Sequence, residues 1–134
     1  MTDLVLDTSA YSHFRRGHAD VMNRLAAAEL VHVPAVVLGE LRAGFELGDR
    51  LLQNMATLEA FLAESFVRIV TIDAKVAVNY GRLFASLRKA GTPVPLNDIW
   101  IAACAQQIGA PVLTFDRDFT VMPGLDVELL PPRS

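Results

Sequence analysis

Four short, mostly apolar runs, Leu4–Leu6, Leu30–Val33, Phe66–Ile72 and Val112–Phe115, alternate along the chain with longer segments of helical spacing. No other feature constrains the fold as much. Apolar runs without polar alternation are how strands buried on both faces read, and such strands belong to parallel sheets covered by helices. A fifth run, Asp126–Leu129, adds a candidate strand. Between the runs the spacing predicts helices over 9–16, 19–29, 35–47 and 51–62, with Pro34 suited to a first helical turn. Asp73 can cap a long helix with Val76, Tyr80, Leu83, Phe84 and Leu87 on one face, ending at Gly91. Asn97 can cap another that runs to Ile108 and stops at Gly109. Strand and helix in alternation predict an α/β sandwich with a mainly parallel sheet of four to five strands.

The 134 residues suffice for one core, and no linker or repeat divides them, so the expectation is a single domain over 1–134. A hydrophobic share of 52% excludes a disordered chain. The apolar run Ile99–Ala105 is far short of the roughly 20 residues a membrane span needs. The opening residues include Asp3 and Asp7 and lack the basic start of a secretory signal. One cysteine, Cys104, cannot form an internal disulfide, which fits a reducing, cytoplasmic compartment and a place in the core. Twelve Lys+Arg against fifteen Asp+Glu give a net charge of −3, which argues against simple binding to a phosphate backbone.

In parallel sheets the ligand crevice lies beyond the carboxyl ends of the strands, where strand order reverses. Asp7 follows the first strand and Asp116 the fourth, although Asp is also common at strand ends and caps. Glu40 is harder to dismiss. Stepping about 100° per residue from Val36 puts Leu47 at about 20°, Glu40 at about 40° and Val37 at about 100°, with Arg42 and Glu46 on the far side. That places Glu40 on the apolar face, where a carboxylate needs a partner such as a buried Arg, or a proton. Asp98 opens the apolar helix; it suits the helix dipole, but Asn97 as the cap leaves it free for other work.

Two carboxylates about 4 Å apart repel by roughly 4 kcal/mol at an effective dielectric of 20. Four converging acids would therefore call for a cation. Oxygen-only ligation without clustered His or Cys favours Mg²⁺ or Mn²⁺ over Zn²⁺.

These segments resemble the PIN domain, most closely the VapC-type toxins of bacterial toxin–antitoxin pairs. The matching stretches are Leu4-Val5-Leu6-Asp7-Thr8-Ser9, Val36–Gly44, Asn97–Ala103 and Leu113–Phe119, in order and over nearly the whole chain. The resemblance implies a three-layer α/β/α fold and a Mg²⁺- or Mn²⁺-dependent endoribonuclease. The acids of the family fall on Asp7, Glu40, Asp98 and Asp116. Its hydroxyls fall on Ser9 and Thr114, and Asn97 matches the usual neighbour of the third acid. Asp118 competes with Asp116, but the position directly after the strand favours Asp116. The resemblance also implies a homodimer and a small VapB-like antitoxin, for which the helices between Ala35 and Glu64 offer a surface.

The chemistry expected is hydrolysis of an RNA phosphodiester by metal-activated water. Asp7, Asp98 and Asp116 would be ligands, and Glu40 would ligate a second ion or orient the water. Ser9, Asn97 and Thr114 would hold the carboxylates in place, with local turn bonding as the alternative for the two hydroxyls. Arg15, Arg16 and Arg117 are candidate phosphate contacts, or ordinary surface charges. His13 could line the cleft, while Trp100 and Phe84 read as core. Three rivals stay open: an RNA-processing PIN nuclease without antitoxin, an aspartyl-phosphate phosphatase or receiver-like domain, and a binding module whose acids merely cap helices. The second lacks an Asp at position 9, which is Ser, and its only lysines are Lys75 and Lys89.

Overall fold

A computed structural model describes residues 3–131. The strands are β1 (Leu4–Leu6), β2 (Val31–Pro34), β3 (Val67–Val70), β4 (Val112–Thr114) and β5 (Val127–Leu129). The helices are α1 (Thr8–Arg15), α2 (Ala19–Ala27), α3 (Ala35–Leu47), α4 (Leu51–Leu62), α5 (Ala74–Lys89) and α6 (Leu96–Ile108). A 3₁₀ turn, Arg117–Val121, separates β4 from β5. The order is β3-β2-β1-β4-β5 and every pairing is parallel. The α/β sandwich expected from the apolar runs is the fold observed.

The order explains the layers. The chain steps from β1 outward to β2 and β3, then returns to β4 on the other side of β1. Parallel crossovers are right-handed, so reversing direction sends the connecting helices to the opposite face. Helices α1–α4 thus cover one face and the tightly packed α5–α6 pair the other. The reversal falls between β1 and β4, with Val5 opposite Val112 and Leu6 opposite Leu113.

The central strands are enclosed by both layers: Leu4, Val5, Leu6 and Val112 have no exposed surface. Each such side chain contributes about 1.5–3 kcal/mol relative to an exposed one. Edge strand β3 shows Arg68 and Ile69 to solvent. Helix α6 buries Ile99 and Ile101–Ala105, Cys104 among them. Trp100 stacks on Tyr80 of α5 at 3.9 Å between ring centres, half-buried between the two helices. Gly109, at φ +78°, ends α6 in the left-handed region that side chains avoid. No described helix is long and apolar enough to cross a membrane.

Two local expectations need correction. Pro95, not Asn97, precedes the first residue of α6, and no side chain caps that helix. Proline's fixed, extended backbone turns the chain into the helix without one, so Asn97 and Asp98 both stand inside the first turn. The α3 face is also rotated. Its buried residues are Val37 and Leu41, whereas Leu47 is 91% exposed. Beyond Leu41 no residue of α3 is fully buried, although Phe45 still packs against the core. Glu40 accordingly sits half-buried at the margin of the buried face, not within it.

Candidate active site

Asp7 is both a helix cap and a site residue. Its extended backbone ends β1, and its Oδ1 accepts the Ala10 N–H at 2.8 Å, starting α1. The carboxylate is buried. The Ser9 hydroxyl bonds it at 2.9 Å (Oδ1) and 3.0 Å (Oδ2), and Thr114 Oγ1 donates to Oδ2 at 2.5 Å. The same hydroxyls accept backbone N–H groups, from Phe115 at 3.1 Å and from Asp116 at 2.9 Å. Turn bonding and support of the carboxylate are therefore one network, which links the end of β1 to the end of β4.

Asp116 follows β4 and caps the 3₁₀ turn, its Oδ1 accepting the Asp118 N–H at 2.9 Å. Asp98 projects from the first turn of α6, half-buried, with Oδ2 buried and unpartnered. One carboxylate oxygen from each of Asp98, Asp116 and Asp118 lies within 4.8 Å of the others. Glu40 stands next to them. Its Oε1 accepts the Thr8 hydroxyl at 2.5 Å, and its Oε2 accepts an Asn97 amide N–H at 3.3 Å. Among the described residues no Arg pairs with it. The described ion pairs, Arg24–Glu128, Asp3–His32 and Arg42–Glu46, all lie elsewhere.

The electrostatics follow from this crowding. Burial pushes the Asp7 carboxyl up from 3.8 to about 6, against the hydrogen bonds from Thr114, Ala10 and Ser9, with Asp116 adding to the rise. Burial, then the charges of Asp116, Asp118, Glu40 and Asp7, push Asp98 up from 3.8 to about 7. Asp118 is also raised, by desolvation and then by Asp116. The acids repel one another without an opposing cationic side chain among the described residues. An orphaned buried oxygen on Asp98 and a set of hard oxygen donors suit a divalent cation. These residues fit such an ion.

Of the four acids chosen from the sequence, Asp98 and Asp116 share one close group with Asp118, while Asp7 and Glu40 stand outside it but near enough for their charges to raise Asp98. Two further residues join them. Asp118 was passed over because only the 3₁₀ turn swings it back beside Asp116. Thr8 carried no signal of its own, since its partner lies 32 residues away. Arg117 is exposed beside Asp116. Arg15 and Arg16 are exposed at the far end of α1, about 12 Å along the helix from Asp7. They line a groove with Tyr11, Leu41, Phe45, Asn54 and Thr57 instead. His13 is half-buried and stacks on Phe115 at 3.8 Å, its Nδ1 2.8 Å from the Ser9 carbonyl oxygen.

A family model described as the PIN domain matches residues 4–125. Ribonuclease VapC5 of Mycobacterium tuberculosis is 32% identical over 123 residues, 90% of this chain and 87% of that protein. Ribonuclease VapC4 of the same organism is 37% identical over 98 residues, covering 71% and 73%. Among solved structures, VapBC2 from Rickettsia felis, bound to a DNA fragment from their promoter, superposes with a TM-score of 0.86 at 26% identity, covering 96% of this chain and 98% of that one.

Proposed function

The chain belongs to the PIN-domain family, and from that premise we propose that it is an endoribonuclease, the toxin of a VapBC-type toxin–antitoxin pair, dependent on Mg²⁺ or Mn²⁺. The observation that carries the reading is the meeting of Asp7, Glu40, Asp98 and Asp116 at the β1/β4 reversal, with no cation paired to them among the described residues. The ribonuclease relatives and the VapBC complex support it.

Asp98 and Asp116 would hold the ion, with Asp118 beside them and Asp7 contributing through its buried carboxylate. When bound, a divalent cation supplies Lewis acidity and offsets negative charge on the phosphate. The protein does the remainder. Ser9 and Thr114 keep Asp7 fixed and tie it to the backbone that carries Asp116. Glu40, held at the cleft margin by Thr8 and Asn97, would orient the attacking water or ligate a second ion. Arg117 offers a fork to a phosphate oxygen at the rim.

RNA is the substrate and the cytoplasm the compartment in this reading. A VapB-like antitoxin would cover the toxin, and a second copy would complete a homodimer. Exposed Leu47 and Leu52 on the α3–α4 hairpin, at 91% and 85%, support coverage by another chain. The whole of 1–134 acts as one domain. The test is cleavage of a structured RNA by protein freed of contaminating nuclease. Activity that survives excess EDTA, or the Asp7→Ala change, would sink the proposal.

A further inference from the structure

Glu40 is clamped by the sequence neighbours of two other acids. Thr8 directly follows Asp7 and reaches Oε1 at 2.5 Å; Asn97 directly precedes Asp98 and reaches Oε2 at 3.3 Å. Thr8 is free for this because Asp7, one residue earlier, already caps α1 through Ala10. Its hydroxyl bonds no described backbone group but crosses to α3, 32 residues on. Glutamate needs such restraint. It has several side-chain torsions, it stands at the margin of the buried face, and the adjacent carboxylates repel it.

We propose that Thr8 is a positioning residue for Glu40: its hydroxyl fixes the direction of the Glu40 carboxylate in the cleft and keeps α3 in register with the end of β1. This deepens the nuclease reading and rests on it. Asn97 alone leaves Oε1 untethered, and the carboxylate can then turn about its last torsion. A displacement of about 1 Å in a reacting group can cost about 100-fold in rate.

The experiment compares Thr8→Val, which keeps shape and removes the donor, with Thr8→Ser, which keeps the donor. Both are also made in Glu40→Gln. Steady-state cleavage of an RNA oligonucleotide in Mn²⁺, calorimetric titration with Mn²⁺ alone, and the carboxyl carbon resonance of Glu40 are measured. Thr8→Val is expected to lower kcat by about 10- to 100-fold with KM changed less than about threefold. It should also shift the Glu40 resonance, while Thr8→Ser restores both. In Glu40→Gln, Thr8→Val should have no further effect on the residual rate. A full-rate Thr8→Val, a Thr8→Ser as impaired as Thr8→Val, or an equal loss in the Glu40→Gln background overturns the assignment. Wild-type protein that binds Mn²⁺ but cuts no RNA overturns the nuclease reading instead. The clamp is then decided by the Glu40 resonance, and an unmoved signal in Thr8→Val refutes it.

Discussion

Thr114 donates its hydroxyl hydrogen to Asp7 at 2.5 Å from the strand paired beside β1, and the same oxygen accepts the Asp116 N–H at 2.9 Å. One buried hydroxyl thus sets the spacing of two acids that are 109 positions apart in number (7 and 116). Thr114→Val keeps the shape and leaves a buried carboxylate and an N–H short of a partner, which costs about 1–3 kcal/mol. Cleavage should fall about 10- to 100-fold, as for lost support of a metal-binding group. The lost bond favoured the charged form of Asp7, so the acid limb of the pH–rate profile should move to higher pH. Thr114→Ser should behave almost as wild type. An unmoved limb with a full rate in Thr114→Val would reject the coupling.

Stability of the metal-free protein should depend on pH in a defined direction. Asp7 rises from 3.8 to about 6 and Asp98 from 3.8 to about 7 in the folded state. The native state then holds more protons than the unfolded one between these values, so stability falls as pH rises from about 4 to about 7. Thermal unfolding in EDTA should show this decline. Mn²⁺ should raise Tm by several degrees at pH 7.5 and far less at pH 5, because protonated acids do not bind it. Asp98→Asn should raise the metal-free Tm at pH 7.5 by about 2–5 °C, as expected for roughly 1 kcal/mol of relieved repulsion. A metal-free Tm that is flat with pH and unchanged in Asp98→Asn would contradict the electrostatic account.

The acids should separate by role. Asp116→Ala and Asp98→Ala should reduce cleavage by about 1,000-fold or more, the scale of losing a principal electrostatic group. Asp118→Asn should weaken Mn²⁺ binding by about tenfold, the low end for groups that support a metal site. Calorimetry reads this directly. Asp118→Asn with unaltered Mn²⁺ affinity would return the residue to a surface role and leave Asp116 as the sole acid of that turn.

Phosphate contacts can be located by salt. Each lost contact to single-stranded RNA should make the plot of log affinity against log salt shallower by about 0.7. Arg117→Gln, beside Asp116, should show that change in full. The double change of Arg15 and Arg16 to Gln tests the far end of α1. A slope unchanged in the double variant assigns those two residues to the groove they line with Asn54 and Thr57, away from RNA.

Strand runs were legible because strands buried on both faces are mostly apolar, and every residue of β1, β2 and β4 is buried, with only His32 and Thr114 polar among them. Helix ends were legible where one residue carries the signal, as with Asp73 bonding the Val76 N–H and Gly109 at φ +78°. The start of α6 was misread because Asn is a good cap in isolation and Pro95 made a cap unnecessary. The α3 face was misread because an apolar stripe records what could be buried, not how much sheet is there to bury it. Leu47, at 91% exposed, is that difference.

Sequence alone determined the strand–helix alternation, the acids that end β1 and β4, and the acid that opens α6. Each is a local matter of hydrophobic pattern, turn and cap. Only the tertiary structure decided which donors hold each carboxylate: Thr8 and Asn97 for Glu40, Ser9 and Thr114 for Asp7. It also returned Asp118 to the cluster. The reason is that these contacts join residues up to 107 apart, brought together by the reversal between β1 and β4. The net charge of −3 takes its meaning from the same reversal. Spread along the chain it argues against a nucleic-acid substrate; gathered at one sheet edge, three of its acids, Asp98, Asp116 and Asp118, bring carboxylate oxygens close enough to suit a divalent cation.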